Sequence, residues 1–178
     1  MRKHNGMRPQ DVVILLKIVL LGDTPWRYSD ISASLTISQS EVAEALNRSK
    51  QARLVDASKR KVFRASFLEF LSYGLKYVFP AQPGSVVRGI PTAHSAKPLS
   101  ELILSEEMYV WPSPVGNTRG QAVNPLYANV IQAIRHDPQL YEMLALLDAV
   151  RVGRAREQKI AIEELRKRIM IEPVYAGQ

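Results

Sequence analysis

Few side chains in this 178-residue chain could act as an acid, a base or a nucleophile near neutral pH. His4, His94 and His136 have the only side chains whose reference pKa lies near neutrality, and they lack the spacing of metal ligands. No acidic residue between Glu69 and Glu101 could orient His94 in a hydrolytic triad. Because cysteine is absent, disulfides, thiol nucleophiles and cysteine-ligated metal sites are excluded. We therefore predict no enzyme activity, no metal site and no cofactor.

His94 has neighbours that would suit an anionic ligand. Ser95 follows it, and Arg88 and Arg119 could bring positive charge close to a phosphate or a carboxylate. In the alternative interpretation, Arg88, His94 and Arg119 fasten a proline-rich loop to the rest of the protein through backbone carbonyl groups. The sequence thus predicts either a ligand or partner site at these four residues, or a structural role for them.

Positive charge is concentrated in the first third of the chain. Residues 1–64 contain 12 Lys or Arg against 6 Asp or Glu, a net charge of +6, whereas residues 65–178 contain 12 against 11, a net charge of +1. Cations neutralise phosphates, so this asymmetry indicates an acidic partner. Amide and hydroxyl side chains that reach base edges stand among these cations, and they predict contacts to double-stranded DNA at Ser38, Gln39, Ser40, Asn47, Arg48, Gln51, Lys59, Arg60, Lys61 and Arg64.

Two helices, a tight turn and a hairpin would position these side chains. Ser38, with Glu41 three residues later, predicts a capping box at the start of the second helix. A polar loop, Ser58 to Lys61, separates two apolar pairs and predicts a basic hairpin. Apolar residues at helical spacing would form a common core, namely Ile31, Leu35, Ile37, Val42, Ala45 and Leu46.

The segments SQSEVAEALNR, ARLVD and SKRKVF resemble the winged helix-turn-helix domain of bacterial transcriptional regulators of the MarR-like type, over about residues 8–64. The resemblance implies a recognition helix in the major groove and a wing on the DNA backbone. It also implies phosphate contacts from Arg27 and Tyr28, at the start of the preceding helix. Such domains often have alanine where this chain has Ser32, and glycine where it has Thr36 and Arg53. A β-carbon in a left-handed turn costs on the order of 1 kcal/mol, so these turns are either shaped differently or stabilised elsewhere.

The predicted fold is mainly α with a small β-wing, an N-terminal winged helix-turn-helix followed by a proline-rich segment and C-terminal helices. We divide the chain into a flexible leader at 1–7, the winged domain at 8–64, a helix at 65–79, an irregular proline-rich segment at 80–124, and a C-terminal helical region at 125–171 for dimerisation or effector binding. The helix that begins at Ser66 with a Ser66–Glu69 capping box is apolar nearly all round, which predicts a core helix or a subunit interface.

The N-terminal apolar run is interpreted as the first helix, Pro9 to Leu21, and not as a secretory signal. Asp11 and Lys17 interrupt it, and it is too short to span a bilayer. We therefore expect a cytoplasmic protein without membrane contact.

Two functions are consistent with these patterns. The first is a sequence-specific transcriptional regulator, a homodimeric (auto)repressor of a small operon with a small-molecule or protein effector; the resemblance extends this to toxin–antitoxin or phage-defence operons. The alternative is a winged-helix adaptor that binds proteins without reading DNA. The cluster of cations around the predicted wing favours the first.

Overall fold

Three helices at the N-terminus pack around aliphatic side chains. In the computed structural model, which describes residues 6–171, these are α1 (Pro9–Leu21), α2 (Tyr28–Leu35) and α3 (Gln39–Gln51). Most of the predicted leader, including His4, lies outside the described residues. The predicted inward-facing residues Ile31, Leu35, Val42, Ala45 and Leu46 are all buried, and Ile37 packs against the same core.

The start of α3 is capped by one half of the predicted box. The Ser38 hydroxyl accepts a hydrogen bond from the Glu41 backbone N–H at 3.2 Å. The Glu41 carboxylate instead accepts hydrogen bonds from Arg48 and Gln10. The reciprocal bond of a capping box is replaced by contacts that connect α3 to α1.

The turns after α2 and α3 are left-handed, although both lack glycine. Thr36 has a φ of 54° and Arg53 a φ of 59°. Hydrogen bonds around each turn offset this cost: the Ile37 N–H donates to the Ser32 carbonyl at 3.1 Å, and the Leu54 N–H donates to the Ser49 carbonyl at 2.9 Å. Thr36 and Arg53 therefore adopt the left-handed conformation that glycine usually provides in such turns.

A hairpin follows α3, as predicted. Val55 and Val62 form one antiparallel bridge. The Phe63 N–H donates to the Leu54 carbonyl at 2.8 Å, and the Asp56 N–H to the Lys61 carbonyl at 2.9 Å. The four-residue loop thus closes on a very short ladder, and its shape depends on side-chain contacts as well.

Two helices take the place of the single helix predicted from Ser66. α4 (Arg64–Tyr73) and α5 (Leu75–Val78) are separated at Gly74. Because α4 begins two residues before Ser66, the predicted Ser66–Glu69 capping box is wrong. One face of α4 and α5 is buried, while Tyr73, Tyr77 and Val78 are 72%, 74% and 52% exposed.

The segment predicted to be irregular contains the sheet of the protein. β1 (Val86–Pro91) pairs antiparallel with both β2 (Tyr109–Pro112) and β3 (Thr118–Ala122), and β2 and β3 run parallel, which closes a small barrel. The prediction of an irregular segment is therefore wrong in this part. The fold is mainly helical with a small sheet, but the sheet lies after the hairpin.

Glycines allow the barrel strands to approach this closely. A Cβ atom at Gly89 would lie 2.1 Å from the Trp111 carbonyl oxygen, and one at Gly120 would lie 2.5 Å from the Met108 carbonyl oxygen. At Gly116 the corresponding distance to the Gly89 carbonyl oxygen is 2.0 Å. Any side chain at these three positions would push backbone against backbone.

Three helices complete the part of the chain that the structure describes: α6 (Val130–Ile134), α7 (Pro138–Val152) and α8 (Ala155–Ile169). Asp137 caps α7 by accepting from the Leu140 N–H at 2.9 Å. α7 is buried along most of its length, and its apolar residues belong to one core that extends from α1 to α8. Within residues 6–171, no helix is both long enough and apolar enough for a membrane span.

Asp148 of α7 attaches the barrel to the helices. Its buried carboxylate accepts from the Trp111 indole N–H at 2.6 Å, the Thr92 hydroxyl at 2.8 Å and the Arg151 guanidinium at 2.7 Å. Arg151 also donates to the Phe79 carbonyl at 2.9 Å. Burial raises the pKa of the Asp148 carboxyl, and the charge of Arg151 acts in the opposite direction.

Candidate nucleic-acid interface

Arg48, predicted to face outward from α3, is buried. Its guanidinium donates to both carboxylate oxygens of Asp11, at 2.8 and 2.7 Å, and to Glu41 at 2.5 Å. The hydrogen bond to Asp11 raises the pKa of Arg48. Desolvation opposes ionisation of Glu41, but hydrogen bonds from Arg48 and Gln10 bring its pKa below the usual value. The prediction of a DNA contact at Arg48 is therefore wrong, and the residue positions α3 on α1.

The sequence contained a signal for this contact. Asp11 interrupts an otherwise apolar run in α1 and is fully buried. A buried carboxylate requires a cation or several donors, because an unpaired charge in the interior is costly. The position of Asp11 in an apolar helix therefore predicts a cationic partner, and Arg48 is that partner.

The outward face of α3 carries polar side chains. Ser40, Asn47 and Gln51 recur at helical spacing on this face; Ser40 and Gln51 are exposed and Asn47 is half-buried. Gln39 is exposed beside them, and the Ser38 hydroxyl lies 3.1 Å from that of Ser40. Two exposed residues of this face, Glu44 and Lys50, are missing from the predicted set. The face combines donors and acceptors that can reach the base edges of a groove.

The basic loop of the hairpin contacts this face directly. The Lys59 ammonium group donates to the side-chain carbonyl of Asn47 at 2.8 Å. Lys59 has a φ of 60°, and the loop is held in this shape by Asp56. Lys59 therefore joins the basic loop to the amide residues on the outward face of α3.

Asp56 organises the loop by accepting hydrogen bonds from its backbone. The N–H groups of Lys61 and Arg60 donate to one carboxylate oxygen at 2.9 and 2.8 Å, and the Ser58 hydroxyl donates to the other. Hydrogen bonds from Lys61, Ser58 and Arg60 lower the pKa of the Asp56 carboxyl to about 2.

Arg60 connects the loop to the segment before α2. Its guanidinium lies 4.6 Å from the centre of the Trp26 ring and 5.5 Å from that of Tyr28, and it donates to the Trp26 carbonyl at 3.0 Å. The two rings are stacked with their centres 6.0 Å apart. Arg27, between them in sequence, is exposed. Trp26 thus contributes packing and a cation–π contact, and it places Arg60 beside Tyr28.

Arg64 has a different role from the loop cations. Its guanidinium donates to the Ile169 carbonyl at 2.7 Å and the Val19 carbonyl at 3.4 Å, near the C-terminal ends of α8 and α1. Cations stabilise these negative helix ends. We therefore assign Arg64 to helix positioning, while Lys61 remains exposed in the loop.

The second predicted site is divided between two places. Arg88 and Arg119 face each other across β1 and β3, and Arg88 donates to the Gly116 carbonyl at 2.6 Å. His94 is buried and lies 2.7 Å from the Glu107 carbonyl oxygen, while the Ser95 hydroxyl accepts from the Tyr109 N–H at 2.8 Å. The arginine pair and the His94–Ser95 pair thus bind different segments. Arg88 and His94 contact backbone carbonyls, as the structural interpretation predicted, but both carbonyls belong to the proline-rich segment itself and not to the rest of the protein.

No family model, curated protein or solved structure matches this chain. The function is therefore inferred from the geometry of the surface that α3 and the hairpin loop form. Within the described residues, no three His, Asp or Glu side chains gather where they could hold a metal ion. What the arrangement offers is a set of cations and amides on one outer surface, suited to bind a polyanion that also presents hydrogen-bonding edges.

Proposed function

We propose that this protein is a sequence-specific DNA-binding transcriptional regulator, with residues 8–64 acting as a winged helix-turn-helix of the MarR-like type. In this proposal α3 is the recognition helix and the Val55–Val62 hairpin is the wing. The observation that carries the proposal is the contact between Lys59 and Asn47, because it joins the cationic loop to the amide face of α3 in one surface.

Each part of the surface has a distinct role. Gln39, Ser40, Asn47 and Gln51 would read base edges in a major groove, where amides pair well with adenine. Arg27, Tyr28 and the cations of the loop would contact phosphates on either side of the groove, which fixes orientation and supplies affinity without sequence preference.

One recognition helix makes few base contacts, so useful specificity requires a second module on the same duplex. The proposed protein is therefore a homodimer on a nearly palindromic operator. We further propose that it is a cytoplasmic (auto)repressor of a small operon and that a small-molecule or protein effector controls its activity.

A salt titration tests the phosphate contacts. Replacing Lys59 and Lys61 by alanine should weaken binding to every duplex and reduce the slope of log K against log salt by up to about 0.9 for each phosphate that is no longer neutralised. The matched control is the double variant Arg156→Ala/Lys159→Ala, which removes the same charge from exposed positions on α8. Equal slopes for the two variants would contradict the proposal.

Selection of bound fragments from random duplexes tests base reading. Wild-type protein should enrich one motif with two-fold symmetry. Asn47→Ala should change the preferred base at one position of each half-site. The loss of discrimination between bases at that position should be about 1 to 3 kcal/mol. If the wild-type protein enriches no motif but still binds duplexes with a steep salt dependence, the protein binds DNA without reading it, and the regulator proposal fails.

A further inference from the structure

An aromatic stripe lies on the outer face of α4 and α5. Phe70, Tyr73 and Tyr77 recur at helical spacing across Gly74, so they share one side of the helix pair. Tyr73 and Tyr77 are 72% and 74% exposed, and Phe70 is half-buried. Exposed neighbouring aromatic side chains on a folded surface commonly mark a protein interface.

Two depressions flank this stripe. The larger, of about 450 Å³, lies between α4 and the turn after α3, where Leu54 and Phe70 form part of its wall. The smaller, of about 270 Å³, lies between α4 and the end of α8, with Met170 at its rim. Glu69 and Tyr73 line both depressions, so they form a ridge between two hollows. Two identical surfaces that each carry a ridge beside a depression can interlock, with the ridge of one copy in the depression of the other.

This face carries both acidic and basic side chains, so its charges can complement those of the same face on a second copy. Glu69 lies on the ridge, Arg53 lines the larger depression and Arg166 lines the smaller one. All three side chains are exposed, and within residues 6–171 none of them is paired with an opposite charge. A two-fold axis between the ridge and one of the depressions brings an acid from one copy toward a cation of the other, and the same contact is made twice.

We propose that this face, which we call the Tyr73 face and define by Glu69, Phe70, Tyr73 and Tyr77 with the two depressions, binds the same face of a second copy of this chain. Tyr73 of each copy enters a depression of the other, and Glu69 pairs with Arg53 or Arg166 across the interface. The proposal rests on the proposed function only in that two recognition helices on one operator need a second copy. It is tested without DNA, so the two can fail separately.

Sedimentation velocity over a concentration series, with the full chain and no DNA, tests the face. Wild-type protein should dimerise, and Tyr73→Glu should raise the dimer dissociation constant about tenfold or more, because a buried aromatic anchor is replaced by a charge. Tyr73→Phe should remain dimeric. The matched control is Leu104→Glu, which introduces the same charge at a fully exposed leucine outside the face. Circular dichroism establishes that each variant is folded.

Charge reversal tests the orientation of the two copies. Glu69→Arg alone and the double variant Arg53→Glu/Arg166→Glu alone should each dimerise more weakly than wild type. Mixing the two variants should restore dimers that contain one copy of each, which native mass spectrometry distinguishes by mass. A wild-type protein that stays monomeric over the whole series would overturn the proposal, as would a folded Tyr73→Glu variant as dimeric as the Leu104→Glu control. Variants that fail to form mixed dimers would overturn the charge pairing.

Discussion

Arg48 and Asp11 form a two-point ion pair in the interior, with Arg48 7% exposed and Asp11 fully buried. Because Asp11 belongs to α1 and Arg48 to α3, this pair fixes the orientation of the helix that we propose reads DNA. An ionic contact of this kind is sensitive to the removal of either partner.

Replacing Arg48 by alanine should therefore destabilise the protein by about 3 to 5 kcal/mol, because Asp11 remains buried without its cation. Urea denaturation measures this change. Arg156→Ala, which removes an exposed arginine on α8, should have little effect. The double variant Asp11→Leu/Arg48→Met should recover much of the stability, and equal stability of Arg48→Ala and Arg156→Ala would contradict the role assigned to the pair.

The loop held by Asp56 should open in acid. Its folded pKa of about 2 lies below the ordinary value of 3.8, so the ionised carboxylate stabilises the loop above about pH 4, and this contribution is lost as the pH falls toward 2. The amide signals of Arg60 and Lys61, followed by NMR during an acid titration, should shift with a midpoint near pH 2. Asp56→Asn should abolish the transition, and a midpoint at or above 3.8 would show that the hydrogen bonds do not depress this pKa.

The contact between Arg60 and Trp26 should be measurable as a coupling energy. A double-mutant cycle of Arg60→Ala and Trp26→Ala, scored by the free energy of unfolding, should give about 0.5 to 1 kcal/mol, as expected for an exposed cation–π pair. The same cycle with Lys61→Ala is the control, and it should be additive because no contact joins Lys61 to the ring. Additivity in both cycles would mean that Arg60 is not held by the stack.

Removal of the Asp148 carboxylate should loosen the barrel. Asp148→Ala leaves Arg151 buried without its counter-charge and the Trp111 indole without its acceptor, which predicts a destabilisation of about 3 to 5 kcal/mol. The near-ultraviolet circular dichroism of Trp111 should weaken at the same time. Asp23→Ala, at an exposed position after α1, is the matched control and should change neither property.

Local patterns in the sequence were sufficient to predict the N-terminal helices. Ile31, Leu35, Val42 and Leu46 recur at helical spacing, and Ser38 marks where α3 begins, so α2 and α3 follow from near neighbours alone. For the same reason the hairpin and most residues of the outer surface were predicted.

Long-range contacts account for the features that local patterns did not predict. Arg48 is buried because of Asp11, 37 positions earlier. The barrel is held against α7 because Trp111 and Thr92 donate to Asp148, 37 and 56 positions later. Similarly, the helical region predicted from residue 125 begins only at Val130, and the Asn124 carbonyl before it accepts from Arg151. A window of a few residues contains none of these partners.

The close strand contacts in the barrel also restrict how this sequence can diverge. Surface positions tolerate many residues, but Gly89, Gly116 and Gly120 exclude any β-carbon, and the acceptor for the Trp111 indole must come from α7. Homologues that share this barrel are therefore expected to retain the three glycines, together with an acidic residue on a long buried helix that accepts from the indole.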